Sequence, residues 1–187
     1  MILGIFVGGK ARRMGGTPKG LLPAPDTGEA LVVRLARIGA EAGLEPVLVG
    51  SAEPYAALVP TLRRLPDAPA GIGPLGGLMA LLDASAPAQA LAVACDMPFV
   101  SRELLVRVAT APLAADVLAP RTGDRWQPLC ARYDAGALRG PVATAIASGV
   151  RSFQRLFDAL TVATLTLTPD EQAQLVDWDT PEDVSRD

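Results

Sequence analysis

The 187-residue chain contains no histidine. Every mechanism that uses imidazole as base, acid or metal ligand is therefore excluded, including the serine–histidine triad and the histidine zinc site. It has two cysteines, Cys95 and Cys130, and no Cys-x-x-Cys. That pattern reads as buried thiols in a reducing compartment, although sequence leaves a disulfide between them open. No uninterrupted apolar run reaches the roughly 18 residues needed to span a membrane. The opening apolar run, Ile2 to Val7, lacks a basic leader and passes straight into a glycine-rich loop. The expectation is a cytoplasmic protein without a membrane partner. Net charge is only −3, which argues against a general nucleic-acid surface.

Half of the residues are hydrophobic, enough for a sizeable core, and the length suits one domain over residues 1–187. Apolar runs at 2–7, 46–49, 62–65, 90–94, 116–119, 126–131 and 162–167 read as strands. Helical patterns at 29–42, 53–59, from Leu75 onward, 101–110, 134–149, 152–159 and from Thr180 lie between or after them. Pro128 makes the 126–131 run an edge or irregular strand. Strands alternating with helices predict a Rossmann-like, three-layer α/β/α fold with a mostly parallel sheet. The loops after parallel strands gather at the carboxyl edge of such a sheet. The 7–22 loop, Asp67, Asp96 and the Asp177–Asp179 segment are expected there.

The stretch Val7 to Leu22, VGGKARRMGGTPKGLL, is unlike the rest. Five glycines allow close backbone approach, and Lys10, Arg12, Arg13 and Lys19 set four cations against an acidic background. A loop of free N–H groups and cations at a strand end is a phosphate cradle; the alternative is an ordinary solvated basic loop. It is not a Walker A loop, because Lys19 is followed by Gly20 and not by a hydroxyl residue. Its glycine spacing also fails the dinucleotide fingerprint. Gly71-Ile-Gly-Pro-Leu-Gly76 does satisfy Gly-x-Gly-x-x-Gly, but no convincing strand leads into it and Pro74 interrupts it. A dehydrogenase reading is correspondingly weak. Asp96 directly follows an apolar strand, so its carboxylate is available to magnesium. The alternative is a turn or helix-entry role ahead of Ser101.

Gly8-Gly-Lys-Ala-Arg-Arg-Met-Gly-Gly16, followed by Lys19-Gly-Leu-Leu22, resembles the Gly-Gly-x-x-x-Arg-Met-Gly-x-x-Lys signature of a nucleotidyltransferase superfamily. Within it the chain is most similar to the molybdenum cofactor guanylyltransferases, with Val7 where Ala is usual. Cys95-Asp96-Met-Pro98, Gly73-Pro-Leu-Gly-Gly77 and Asp177-Trp-Asp-Thr-Pro-Glu182 extend the likeness over nearly the whole chain. The resemblance implies a nucleotide site formed by Val7, Gly8, Gly9, Lys19, Asp67, Gly73 and Asp96. It implies Arg13, Lys19 and Asp96 as catalytic residues, with Mg2+ held by Asp96 and, secondarily, Asp179. The first hundred residues would hold the nucleotide and residues 101–187 the pterin. Arg125-Trp-Gln-Pro-Leu-Cys130 would begin that second half, where Trp126 either stacks on the pterin or packs in the core.

The reaction so implied joins GMP from GTP to molybdenum-bearing molybdopterin and releases pyrophosphate. Transient contact with enzymes that insert or accept the cofactor would follow. One departure leaves an alternative open. The family commonly has Asn where this chain has Asp177 and Asp179, whereas cytidylyltransferase relatives often carry Asp. A cytidylyltransferase, a transferase for another phosphorylated metabolite, and a nucleotide-binding regulatory protein are the other readings.

Overall fold

The structure is a computed structural model that describes residues 1–8 and 17–184. Its main sheet has seven strands, of which β1 (Ile2–Phe6) is flanked by β2 (Glu45–Val49) and β4 (Gln89–Ala94). Beyond β2 lies β3 (Arg64–Leu65); beyond β4 lie β8 (Cys130–Asp134), β5 (Val117–Ala119) and β9 (Val162–Thr164). β1 is parallel to both neighbours, with Phe6 opposite Val49 and Ala94. β8 alone runs against the others, between β4 and β5. The mostly parallel α/β expectation therefore holds.

Alternation along β1 builds two cores. Leu3, Ile5 and Val7 face one side, where Leu35 and Ile38 of α1 (Leu31–Glu41) meet Leu104, Leu105 and Val108 of α3 (Arg102–Thr110). Phe6 faces the other, with Leu75, Leu78, Leu81 and Leu82 of α2 (Pro74–Ser85), Leu138 and Val142 of α4 (Ala135–Ala147), and Phe153 and Leu156 of α5 (Phe153–Phe157). This double covering explains why β4 reads as a continuous apolar run. Ser101, Asp134 and Ser152 cap α3, α4 and α5 as their side-chain chemistry predicts, each accepting a backbone N–H at the third helical position.

Several boundaries differ from the sequence reading. The 53–59 helix shrinks to a 3-10 turn at Glu53–Tyr55. The 126–131 return divides: β6 (Arg121–Thr122) and β7 (Arg125–Trp126) form a separate ribbon, and β8 starts after Pro128. Proline removes a ladder donor, and Gln127 N–H bonds Pro120 O to close the ribbon instead. The 162–167 strand stops at Thr164. Its continuation leads to α6 (Pro169–Ala173), absent from the sequence reading although Thr168 and Glu171 form a capping box. The chain ends in α7 (Pro181–Val184). Cys95 and Cys130 are free and buried, and burial raises both thiols to about 12.

Candidate active site

After β1 the chain stays in register for one more residue, Val7, whose N–H bonds Val49 O at 2.9 Å. Gly8 is then exposed, with open space where a side chain would stand. Gly50, at the end of β2, has φ +100°, and a Cβ there would approach Gly8 N to 3.3 Å. Glycine at 50 thus removes both backbone strain and pressure on Gly8. Asp67 enters the same corner: Oδ1 lies 3.6 Å from the Cβ position of Gly50 and 3.2 Å from that of Gly77. Gly73 is the N-cap of α2. Val7, Gly8, Gly50, Asp67 and the first turn of α2 thus form one corner at the carboxyl edge. Asp67 has no hydrogen-bond partner among the described residues, and burial alone raises its carboxyl above the ordinary value.

The second half of the site is ionic. Lys19 Nζ donates to Asp96 Oδ2 at 2.8 Å and to Asp179 Oδ1 at 2.5 Å. Burial, which by itself lowers the ammonium pKa, is outweighed by these bonds, and the net shift is upward. Asp177 joins them: one carboxylate oxygen each from Asp96, Asp177 and Asp179 lie within 4.8 Å of one another. Desolvation, then the Asp179 and Asp96 charges, raise the Asp177 carboxyl. Three carboxylates against one ammonium leave a charge of −2 when all are ionised. Hard oxygen donors carrying that charge suit a divalent cation.

Packing holds these groups in place. Lys19 opens a 3-10 turn whose Gly20 is pressed on the Tyr55 ring; a Cβ there would come within 2.8 Å of it. Burial raises the Tyr55 hydroxyl above its ordinary value. Arg34 grips Asp26 through Nε at 2.9 Å and donates to Val100 O at 2.7 Å, fixing the turn after Asp96. Trp178, 2% exposed, donates its backbone N–H to Asp96 O at 2.9 Å. Asp183 accepts from the N–H groups of Asp179 and Thr180 at 3.0 and 2.8 Å.

Of the residues singled out in the sequence, Val7, Gly8, Asp67 and Gly73 meet in the first corner, and Lys19, Asp96 and Asp179 in the second. Gly9 and Arg13 lie outside the described residues. Trp126 belongs to the packing: Arg121 lies over its ring at 4.7 Å, Phe157 meets it edge-on, and Gln154 bonds both its N–H and its C=O. Sequence reasoning missed Gly50, Tyr55 and Trp178. The first had a signal, a glycine directly after a strand; the other two are aromatics whose importance rests on distant contacts.

The mostly parallel α/β sheet, with a glycine corner, a lysine and clustered carboxylates at its carboxyl edge, is that of a nucleotidyltransferase, an enzyme. Residues 4–164 match the MobA-like NTP transferase domain, and the chain belongs to that family. It is 40% identical to a probable molybdenum cofactor guanylyltransferase of Pelotomaculum thermopropionicum, over 72% of this chain and 64% of that protein. It is 33% identical to the molybdenum cofactor guanylyltransferase of Xanthomonas euvesicatoria, over 97% and 91% of the two chains. In fold it resembles the molybdopterin-guanine dinucleotide biosynthesis protein A of Archaeoglobus fulgidus, with a TM-score of 0.79, 24% identity, and 100% and 96% of the chains covered. Among the described residues no helix is long and apolar enough to cross a membrane.

Proposed function

We propose that this chain transfers GMP from GTP to the terminal phosphate of molybdenum-bearing molybdopterin, giving the guanine dinucleotide form of the cofactor and pyrophosphate. The observation that carries the reading is the Lys19–Asp96–Asp179 constellation beside the Gly8 corner, in a chain whose relatives are named guanylyltransferases. An oxygen of the acceptor phosphate forms a bond to the α-phosphorus. The bond from that phosphorus to the bridging oxygen breaks, and pyrophosphate leaves with the electron pair. A phosphate monoester, with a second pKa near ~6, is already ionised at neutral pH, so the nucleophile needs no general base. The absence of histidine is therefore no handicap. Catalysis consists of positioning and charge stabilisation.

Lys19, and Arg13 by its place in the sequence motif, offset charge on the α-phosphate and departing pyrophosphate. Gly8, and Gly9 by its place in the sequence motif, would offer backbone N–H groups to the nucleotide. Asp96 would hold Mg2+, with Asp179 and Asp177 beside it; when bound, the ion neutralises phosphate charge. Asp67, half-buried and without a partner among the described residues, is an acceptor for N–H or O–H donors of guanine or ribose. Residues up to about 100 thus serve the nucleotide, and residues 101–187 serve the acceptor and any cofactor-accepting enzyme. The Asp-for-Asn departure at 177 and 179 speaks less for cytosine than the sequence implied. Both carboxylates cluster with Lys19 and Asp96, among groups suited to phosphate and metal rather than to a base.

The test is pyrophosphate release with GTP, CTP and ATP at equal concentration, with and without molybdopterin. A site that pairs buried polar groups with one base can reject others by up to ~10⁴-fold, so GTP should lead by at least ~100-fold and only with acceptor present. CTP turning over as fast as GTP would overturn the guanine assignment and leave the transferase standing.

A further inference from the structure

We infer that Trp178 is a positioning residue for the divalent metal, the pin that holds the C-terminal segment so that two of the three carboxylates reach Asp96. The inference rests on the metal site proposed above.

Residues 177–179 belong to no strand or helix. The Trp178 indole is buried in a small apolar cluster of its own, with Ala24, Leu31 and the partly buried Leu22, Phe99 and Val184. Phe99 meets it edge-on, with ring centroids 6.1 Å apart. That cluster joins three parts of the site: the chain just after Lys19, the turn just after Asp96, and the tail. The Trp178 N–H adds a bond to Asp96 O at 2.9 Å, so it is tied to the backbone of the ligand itself. With its side chain turned inward, those of Asp177 and Asp179 on either side reach the Asp96 carboxylate.

Three carboxylates this close repel one another, and Lys19 pairs with only two of them. Around the segment, Asp183 accepts from the N–H groups of Asp179 and Thr180, Gln174 Oε1 accepts from Ser101 N–H at 3.0 Å, and Leu175 is buried in the core beside α1 and α3. Within residues 177–179, which carry two of the three carboxylates, the apolar force opposing the repulsion comes from the indole. Removing it should release Asp177 and Asp179 from the cluster and leave the two main cores, which do not contain Trp178, in place.

The experiment titrates the full chain with Mn2+ alone, following the free ion by EPR, for the wild type, Trp178→Ala, Trp178→Phe and Leu156→Ala. Leu156 is fully buried in the opposite core, so its variant loses stability without touching the segment. Groups behind metal ligands typically govern affinity by 10–100-fold, so Trp178→Ala should weaken Mn2+ binding by at least ~10-fold. The Mg2+ needed for half-maximal turnover should rise by the same factor. Trp178→Phe, which keeps a ring against Phe99, should recover most of that loss, and Leu156→Ala should bind Mn2+ as the wild type does. Should Trp178→Ala not fold, Trp178→Leu replaces it, and affinity falling in the order Trp, Phe, Leu is the supporting result. Folded Trp178 variants with wild-type affinity overturn the inference and leave the metal site intact. A wild type that takes up no Mn2+ overturns the metal reading and the inference together.

Discussion

Asp67 shows how a single residue can be set for binding at a cost to folding. Its carboxyl is half-buried, without a hydrogen-bond partner among the described residues, and raised above the ordinary 3.8 by burial. A carboxyl with a raised folded-state pKa favours folding only while protonated, and the advantage disappears as pH rises through that value. At neutral pH the ionised group therefore opposes folding. Asp67→Asn should raise Tm by about 1–3 °C at pH 7, the scale of a sub-kcal/mol change in a chain of this length. The gain should vanish below pH 3.8. The same change should raise the KM for GTP by ~10-fold or more, since hydrogen bonds to a charged acceptor are worth about 1.5–3 kcal/mol. Thermal melts across pH and steady-state kinetics check both parts; lower stability at pH 7 with unchanged KM would make Asp67 a structural turn residue. At this scale much was legible. Lys19 and Asp96 were marked by their motif and by the strand before them. Trp178 and Tyr55 were not, because each acts on a residue tens of positions away.

Among the elements, those with local chemistry were readable and those set by distant partners were not. Caps at Ser101, Asp134 and Ser152 follow from the residue and its next turn. The direction of β8 does not, because an apolar run carries no sign of whether its neighbour is parallel. The Trp126 ribbon could not be told from a strand until Gln154 and Phe157 were brought to it. α6 is legible in Thr168-Pro-Asp-Glu171, a capping box with proline at the first helical position. Glu171 there both caps the helix and pairs with Arg107 of α3, and the guanidinium and then the Thr168 N–H lower its pKa below the ordinary 4.5. A lowered folded-state pKa stabilises above the unfolded value and loses that effect as pH falls through the folded one. Glu171→Gln, which retains capping ability, should lower Tm at pH 7 by about 1–3 °C, as expected of one partly exposed pair. The difference should shrink as pH drops below 4.5. A gap that stays constant in acid would assign the effect to capping alone.

In the whole molecule, the parallel strands bring Gly8, the Asp67 corner and Asp96 to one edge, and the tail returns to that edge through Trp178. The sheet and its edge follow from alternating strands and helices, and the Asp177–Asp179 segment is expected at that edge; what the sequence does not show is that the Trp178 indole and its N–H hold it there. In the proposed reaction the α-phosphorus of GTP passes to the acceptor with no general base from the protein. The most direct measurement is incubation of the enzyme with α-phosphate-labelled GTP, Mg2+ and molybdenum-bearing molybdopterin, followed by separation of the products. The label should appear in the pterin dinucleotide in step with unlabelled pyrophosphate. The rate should level off above the acceptor's second phosphate pKa, near ~6. It should fall by at least ~100-fold in Lys19→Ala, the loss typical of one preorganised charge-stabilising group. Label remaining in free GTP, GDP or GMP while the pterin stays unlabelled would rule out guanylyl transfer to the pterin.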